Sequence, residues 1–203
     1  MNFEKFRKIF SGKQIIGLRE IRVVSPQFDR RRLSEWQKRG YIQKIINGYY
    51  IFADIEIDEL FLMRLANTIY PHSYISLETA FGYYSLIPES VYQITSCSSR
   101  KTKVFDTKVA SFSYSSISTE YFFGYVLGKN SEKILIASPE KAVLDWLYFR
   151  RRFDEDDFYE LRLNIDEYSD LIDEKKIVRY LKIFQSNSLF RKYETFKESI
   201  ENA

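Results

Sequence analysis

The sequence predicts an α+β protein in which a small unit of helices and a β-hairpin precedes a larger unit of mixed helices and strands. Two patterns carry this prediction. Apolar residues recur at helical spacing through the first 40 residues, and the period changes to about two between residues 92 and 138. With 45% apolar residues in a chain of 203, a large core is available. The predicted units are residues 1–54 and 55–203, divided in the acidic connector DIEID.

The first unit is predicted to begin with three short helices. Phenylalanines at helical spacing mark the first helix, over about residues 3–10, and a second is expected over residues 16–23. Asp29 is the expected N-cap of the third helix, in which Leu33 and Trp36 form a buried pair three residues apart. These helices are short enough to need a shared core.

A hairpin is predicted directly after the third helix. Asn47-Gly48 lies between two β-rich runs and is a strong turn signal. Three helices followed by a hairpin are typical of a winged helix-turn-helix, whose third helix enters the major groove of DNA while the wing lies on the backbone. The predicted DNA contacts are Arg30, Arg31, Ser34, Lys38, Arg39 and Lys44.

The charge distribution favours a polyanionic partner for the first unit. Residues 1–53 carry 12 basic and 4 acidic side chains, a net charge of +8, whereas residues 54–153 carry 11 of each. Residues 154–203 carry 8 basic and 13 acidic side chains, a net charge of −5. A basic helix face can also be merely solvated, and some winged helices bind protein, but the asymmetry favours DNA.

The second unit is predicted to open with a buried helix, ELFLMRLANTIY, and then the stretch YISLETAFGYYSLIPE. In that stretch Ser76 is the expected cap of a short amphipathic helix, and Pro88 prevents its continuation. Its expected apolar stripe comprises Leu77, Ala80, Phe81 and Tyr84. We expect a packing element without a catalytic group.

The rest of the second unit is predicted as a sheet covered by helices. Short runs rich in β-branched and aromatic residues predict a small, mostly antiparallel sheet of four or five strands between residues 92 and 138. Ser138-Pro139-Glu140 has the cap, proline and acid of a helix start. From residue 154 the chain is acidic and helical in pattern. We therefore expect C-terminal helices.

Residue counts exclude several kinds of site. The single Cys97 excludes an internal disulfide and a cysteine zinc cage, and the single His72 excludes a pair of histidine ligands. The seven glycines form no phosphate-binding loop. We therefore predict no cofactor, no metal and no catalytic residue. No apolar run approaches about 18 residues and the first residues lack a signal-peptide region, so a cytoplasmic protein without membrane contact is expected.

One alternative is a metal-dependent nuclease or a related nucleic-acid enzyme. Asp106-Thr107-Lys108 has the acid-x-lysine spacing of such enzymes, and Glu78 or Asp145 could supply a second carboxylate. Two acids and a lysine could hold Mg²⁺ and activate a water molecule. Chance matches to so short a motif are common, so an exposed strand end is the favoured interpretation.

Longer segments resemble the AbiEi-like antitoxins, which are transcriptional regulators from bacterial type IV toxin–antitoxin operons. The resemblance is carried by WQKRGYIQKIINGYYIF, by PHSYISLETAFGYYSLIPESVYQITSCSSRKTKVFDT, and by FSYSSI, FFGY and IASPEKAVLDWLYF in the same order. It covers about residues 30–150. Departures in a strand, at Cys97-Ser98-Ser99, and in the turn before SFSY leave the family resemblance intact.

The resemblance implies an N-terminal winged helix that binds operator DNA and a larger α/β antitoxin domain. It implies a protein that represses its own operon and counteracts a nucleotidyltransferase-like toxin, with no catalytic residue of its own. Direct binding to the toxin is a separate hypothesis. A ligand-sensing repressor without a toxin partner is a further alternative, and the neighbouring gene would distinguish the two.

Overall fold

The computed structural model describes residues 1–88, 93–128 and 133–203 and has an α+β fold. Residues 1–53, here called the head, contain three helices and a three-stranded sheet. Residues 59–203, here called the body, contain a six-stranded sheet and the remaining described helices. The connector of residues 54–58 joins them. The predicted α+β class is therefore confirmed.

In the head, helices and strands alternate before the hairpin. The elements are α1 (Phe3–Phe10), β1 (Ile16–Gly17), α2 (Leu18–Val24), α3 (Arg31–Lys38), β2 (Ile42–Ile46) and β3 (Tyr49–Phe52). The strands form an antiparallel sheet in the order β1-β3-β2. Gly48 has a φ of +90° in the turn between β2 and β3, a conformation that glycine adopts at little cost. The predicted hairpin at Asn47-Gly48 is thus present.

The second helix begins at Leu18, two residues later than predicted. Ile16 and Gly17 are extended and pair with Tyr50 and Tyr49 of β3. The side chain of Glu20 returns to accept a hydrogen bond from the Gly17 amide at 3.2 Å, which caps α2 at its true start. Pairing with a strand 32 to 34 residues further along the chain, which helical periodicity cannot reveal, decides this boundary.

Aromatic side chains dominate the core of the head. The indole of Trp36 packs 4.8 Å from the ring of Phe6 and 5.4 Å from that of Phe3, measured between ring centroids. Leu33, its predicted partner, is also buried. The hairpin has a second apolar side, on which Ile45 and Ile51 join the core of the body. The head therefore has its own core but also packs against the body.

The body begins with α4 (Glu59–Ile69), whose first turn is capped by Asp58 through the Phe61 amide at 2.6 Å. Next come β4 (Ser73–Ile75) and α5 (Leu77–Tyr83). The strands β5 (Gln93–Ser98), β6 (Lys103–Asp106), β7 (Ser111–Ser116), β8 (Tyr125–Leu127) and β9 (Leu135–Ala137) follow, with a 3₁₀ turn at Thr119–Tyr121.

The large sheet has six strands, of which five, β5 to β9, lie where four or five were predicted; it is mixed, with three antiparallel and two parallel strand pairs. Its order is β6-β7-β5-β4-β9-β8, and the pairs β5–β7 and β4–β9 are parallel. Strand β4 lies in the middle of the sheet although two of its three residues, Tyr74 and Ile75, belong to a stretch that predicted only a helix. A three-residue strand is too short to produce a recognisable period. The predicted strand region begins at Tyr92, which lies outside the described residues.

Helix α5 forms where predicted, but Ser76 does not cap it with its side chain. The predicted apolar stripe is buried. The Thr79 amide in the first turn donates instead to the hydroxyl of Thr95 on β5 at 3.1 Å. This partner from another strand leaves the Ser76 hydroxyl free to donate to Asp145. A residue on a distant strand can therefore cap a helix, while the local candidate, here Ser76, bonds to another side chain.

The helix predicted at Ser138-Pro139-Glu140 is α6 (Pro139–Phe149), and the Ser138 hydroxyl accepts from the Lys141 amide. Its residues 140–147 are all buried. Four further helices follow: α7 (Glu155–Leu161), α8 (Ile165–Leu171), α9 (Glu174–Phe184) and α10 (Asn187–Glu201). The predicted C-terminal helices are confirmed. Within the described ranges, no helix combines the length and apolar character needed to cross a membrane.

Candidate nucleic-acid interface

Helix α3 presents one apolar and one cationic side. Leu33 and Trp36, three residues apart, are 2% and 3% exposed and anchor the helix in the head. Arg31, Ser34 and Lys38 lie on the opposite, exposed side. Because the apolar side is fully used in packing, the polar side must face outward. Helix α3 therefore has a fixed rotation that exposes its basic residues.

All six residues predicted to contact DNA are exposed. Arg31, Ser34 and Lys38 lie on α3, whereas Arg30 and Arg39 flank its two ends. Lys44 lies on β2, the strand that follows α3 and packs against it. The structure thus brings five of these residues together along one short helix and places the sixth on the neighbouring hairpin.

The ion pairing of these residues is uneven. The Arg31 guanidinium pairs with the carboxylate of Asp29, whose Oδ1 also accepts from the Arg31 amide at 3.0 Å. The backbone hydrogen bond and the guanidinium hold the pKa of Asp29 below its usual value. Within the described part of the chain, Arg30, Lys38 and Lys44 have no acidic partner. Their charges are free to bind an anion.

The predicted N-cap of α3 lies one residue off. The cap position is Arg30, not Asp29, and Arg30 has helical backbone angles. Asp29 nevertheless uses its carboxylate to accept from the first amide of the helix. A carboxylate near a helix amino terminus is favourable because the free amides there carry partial positive charge. The residue type was therefore informative even though the exact position was wrong.

Sequence reasoning missed a second group of cations close to α3. A cleft of about 810 Å³ lies between the head and the body, and Arg19, Arg22 and Arg30 line it from the head. Arg100 and His72 line it from the body. Arg19 and Arg22 are three residues apart on α2, a spacing that puts them on one helix face and could have identified them. Nothing in the local sequence links them to Arg100.

Two carboxylates of the nuclease alternative, Asp106 and Asp145, lie far apart. Asp106 ends β6 at the edge of the sheet, where its carboxylate accepts from the Ser111 hydroxyl at 2.7 Å. Asp145 bonds instead to Tyr74 on β4, three strands away, which corresponds to roughly 14 Å. In residues 1–88, 93–128 and 133–203, no three His, Cys, Asp or Glu side chains could jointly hold a metal ion.

Asp145 belongs to a fully buried polar cluster in the body. It pairs with Lys141 one helical turn earlier, and both side chains are 0% exposed. The hydroxyls of Tyr74 and Ser76 donate to its Oδ2 at 2.9 and 2.8 Å, and the Lys141 ammonium donates to the Tyr74 hydroxyl at 2.9 Å. Every member has a partner, as a buried charge requires.

Two groups of this region titrate far from their ordinary values. Burial, followed by the charge of Asp145, raises the pKa of Tyr74 well above that of a free tyrosine. Burial likewise raises the pKa of the Cys97 thiol, on the strand beside Tyr74. The thiol is therefore protonated at neutral pH and is not an activated nucleophile. The prediction that Cys97 is a small buried residue of the sheet is confirmed.

Two comparisons with known proteins found no match. The chain matches no family model, and a search of curated proteins finds no significant match.

Proposed function

We propose that the chain is a DNA-binding repressor that acts as an antitoxin, with the head as a winged helix-turn-helix. The element order α1-β1-α2-α3-β2-β3 supports the winged-helix assignment, because it has the third helix directly before a hairpin. The single observation that carries the proposal is the exposed cationic side of α3, whose opposite side is buried by Leu33 and Trp36.

In this proposal the six exposed residues divide between base readout and backbone binding. Arg31, Ser34 and Lys38 face the major groove, where arginine and lysine pair with guanine and a hydroxyl accepts or donates to either base type. Arg30, Arg39 and Lys44 lie at the helix ends and on the hairpin, and they contact phosphates. On binding, the Arg31 guanidinium would exchange its partner, the Asp29 carboxylate, for DNA.

The DNA-binding part is tested with the promoter region of the protein's own gene. The variant Arg30→Ala/Arg31→Ala/Lys38→Ala should lose roughly tenfold or more in affinity, measured by fluorescence anisotropy at several salt concentrations. Lys44→Ala alone, which removes a proposed phosphate contact, should lower the salt slope by about one. The matched control is Arg151→Ala/Arg152→Ala/Lys182→Ala, which removes three exposed charges from the body. Unchanged affinity of the α3 variant would disprove the assignment of α3.

The antitoxin part derives from the sequence resemblance. It proposes a nucleotidyltransferase-like toxin as the functional partner, encoded beside this gene, and no catalytic step by this chain. Co-expression provides the test: the full chain should restore growth to cells that express the neighbouring gene product. A neighbouring gene unrelated to nucleotidyltransferases, or failure to restore growth, would leave a repressor that answers to another signal.

A further inference from the structure

The cleft between head and body combines charges that no carboxylate neutralises. Arg19, Arg22, Arg30 and Arg100 are all exposed, and none has an acidic partner in the described part of the chain. Glu20 is the one acid among the described lining residues, and its carboxylate is already bound by Lys13 and the Gly17 amide. A concave surface with one sign of charge concentrates the field and attracts the opposite charge.

The head side of the cleft is held in place by the sheet. The Leu18 amide donates to the Gly48 carbonyl at 2.7 Å, which fixes the start of α2 against the hairpin turn. Arg19 and Arg22 follow on that helix, so their backbone positions relative to Asn47 and Gly48 are set. The hairpin turn, Arg19 and Arg22 therefore line the cleft from the same side.

On the body side, hydrogen bonds hold the backbone around Arg100. The Arg100 amide donates to the Ser98 hydroxyl at 3.1 Å, and that hydroxyl donates to the His72 carbonyl at 2.8 Å. The Arg100 guanidinium lies 5.6 Å from the centre of the Tyr70 ring, and the Tyr70 hydroxyl donates to the Lys101 carbonyl. A cation over an aromatic face is favourable. Arg100 therefore lines the cleft from a turn of the body that is held by hydrogen bonds.

We infer that this cleft binds phosphate groups, with arginines contributed by both the head and the body. Guanidinium groups match phosphate oxygens in geometry and charge, and they stay protonated at any physiological pH. Two sources carry this chemistry: the backbone of bound DNA, and a free nucleotide, for which the volume is sufficient. Arg30 lines the cleft and also precedes α3, so DNA bound by α3 can place its own phosphates in the cleft. This source of phosphate rests on the proposed function.

The test for the DNA source uses one arginine from each side. Arg19→Ala and Arg100→Ala in the full chain should each weaken binding to promoter and unrelated duplexes alike, by roughly three- to tenfold. Each should also lower the salt slope by about one, because a phosphate contact releases about one counterion. Arg152→Ala, an exposed arginine outside the cleft, is the matched control and should match the wild type.

The test for the free source uses ATP and inorganic phosphate as probes in isothermal titration calorimetry. Saturable binding of ATP that is lost in both Arg19→Ala and Arg100→Ala, and kept in Arg152→Ala, supports a nucleotide site. Binding of DNA that responds to both variants, without binding of ATP, supports the backbone. If neither variant differs from Arg152→Ala towards any probe, the inference is wrong.

These outcomes separate the inference from the proposed function. Loss of DNA binding in the α3 variant together with unaffected cleft variants, and no nucleotide binding, keeps the proposed function and overturns the inference. If the wild-type chain binds no duplex, the proposed function is wrong. The ATP titration alone then tests whether the cleft binds phosphate.

Discussion

The head and the body use charged residues in opposite ways. In the head, the arginines of α2 and α3 are exposed, and most have no acidic partner. In the body, Lys141 and Asp145 are fully buried and bonded to each other and to hydroxyls. An exposed charge without a partner gives up no ion pair when it binds a polyanion. Breaking a buried ion pair, by contrast, costs folding stability. The difference therefore separates a binding surface from a structural centre.

The largest expected effect comes from breaking the buried pair. Lys141→Met leaves the buried Asp145 carboxyl group without its cation, and we expect the free energy of unfolding to fall by about 3–5 kcal/mol. Urea unfolding of the full chain measures it. Lys182→Ala, which removes an exposed lysine of α9, should change it by less than about 0.5 kcal/mol. A loss under about 1 kcal/mol for Lys141→Met would mean that the pair contributes little to the fold.

Alkaline pH should lower the free energy of unfolding, because tyrosines are buried in the body. Burial raises the pKa of Tyr114, as it does for Tyr74, so the folded chain keeps protons that the unfolded chain loses. The stabilisation is complete below the unfolded pKa near 10 and falls above it, by about 1.4 kcal/mol per pH unit for each such tyrosine. Urea unfolding between pH 9 and 11 measures the slope. Tyr114→Phe should reduce it, and Tyr159→Phe, at an exposed position, should not.

A smaller effect is expected where the backbone approaches the buried cluster. Gly124 has a φ of +72°, and a Cβ there would lie 3.1 Å from Cγ of Lys141. Gly124→Ala should therefore lower the melting temperature, by strain of about 1–3 kcal/mol. Gly12→Ala is the control, because nothing lies within 4 Å of the added atom. Equal melting temperatures for the two variants would show that the cluster tolerates displacement.

The smallest effect is expected on the head. Arg31→Ala and Lys38→Ala remove exposed charges, and each should change the free energy of unfolding by less than about 0.5 kcal/mol while weakening DNA binding. Thermal unfolding and anisotropy on the same samples separate the two effects. A loss of stability comparable to that of Lys141→Met would assign a structural role to the face of α3 and blur the distinction between head and body.

Local patterns predicted most of the helices and the hairpin. Leu33 and Trp36 anticipated the buried side of α3, and Ser138-Pro139-Glu140 anticipated the start of α6, because caps and periodicity depend on neighbours within a turn or two. The short strands β1 and β4 were missed. Their pairing partners lie far along the chain, and two or three residues do not define a period.

The candidate site also has one part that the sequence predicted and one part that it did not. The basic residues of α3 follow from composition and spacing, so all six predicted contacts are exposed as expected. The cleft was not predictable, because Arg100 meets Arg19 and Arg22 only when the body packs against the head. The separation of Asp106 and Asp145 was not predictable for a related reason. A short motif on an edge strand says nothing about which side chains lie across the sheet.

By itself, the sequence determined the α+β class, the order of three helices and a hairpin, and a strongly basic first segment. These properties depend on composition and on contacts between near neighbours. Only the tertiary structure decided that the hydroxyl of Ser76 serves Asp145 instead of α5, that Lys141 is buried, and that two distant segments share a cationic cleft. Those outcomes depend on contacts between residues far apart in the chain, such as Ser76 and Asp145 at 69 positions, which packing alone selects.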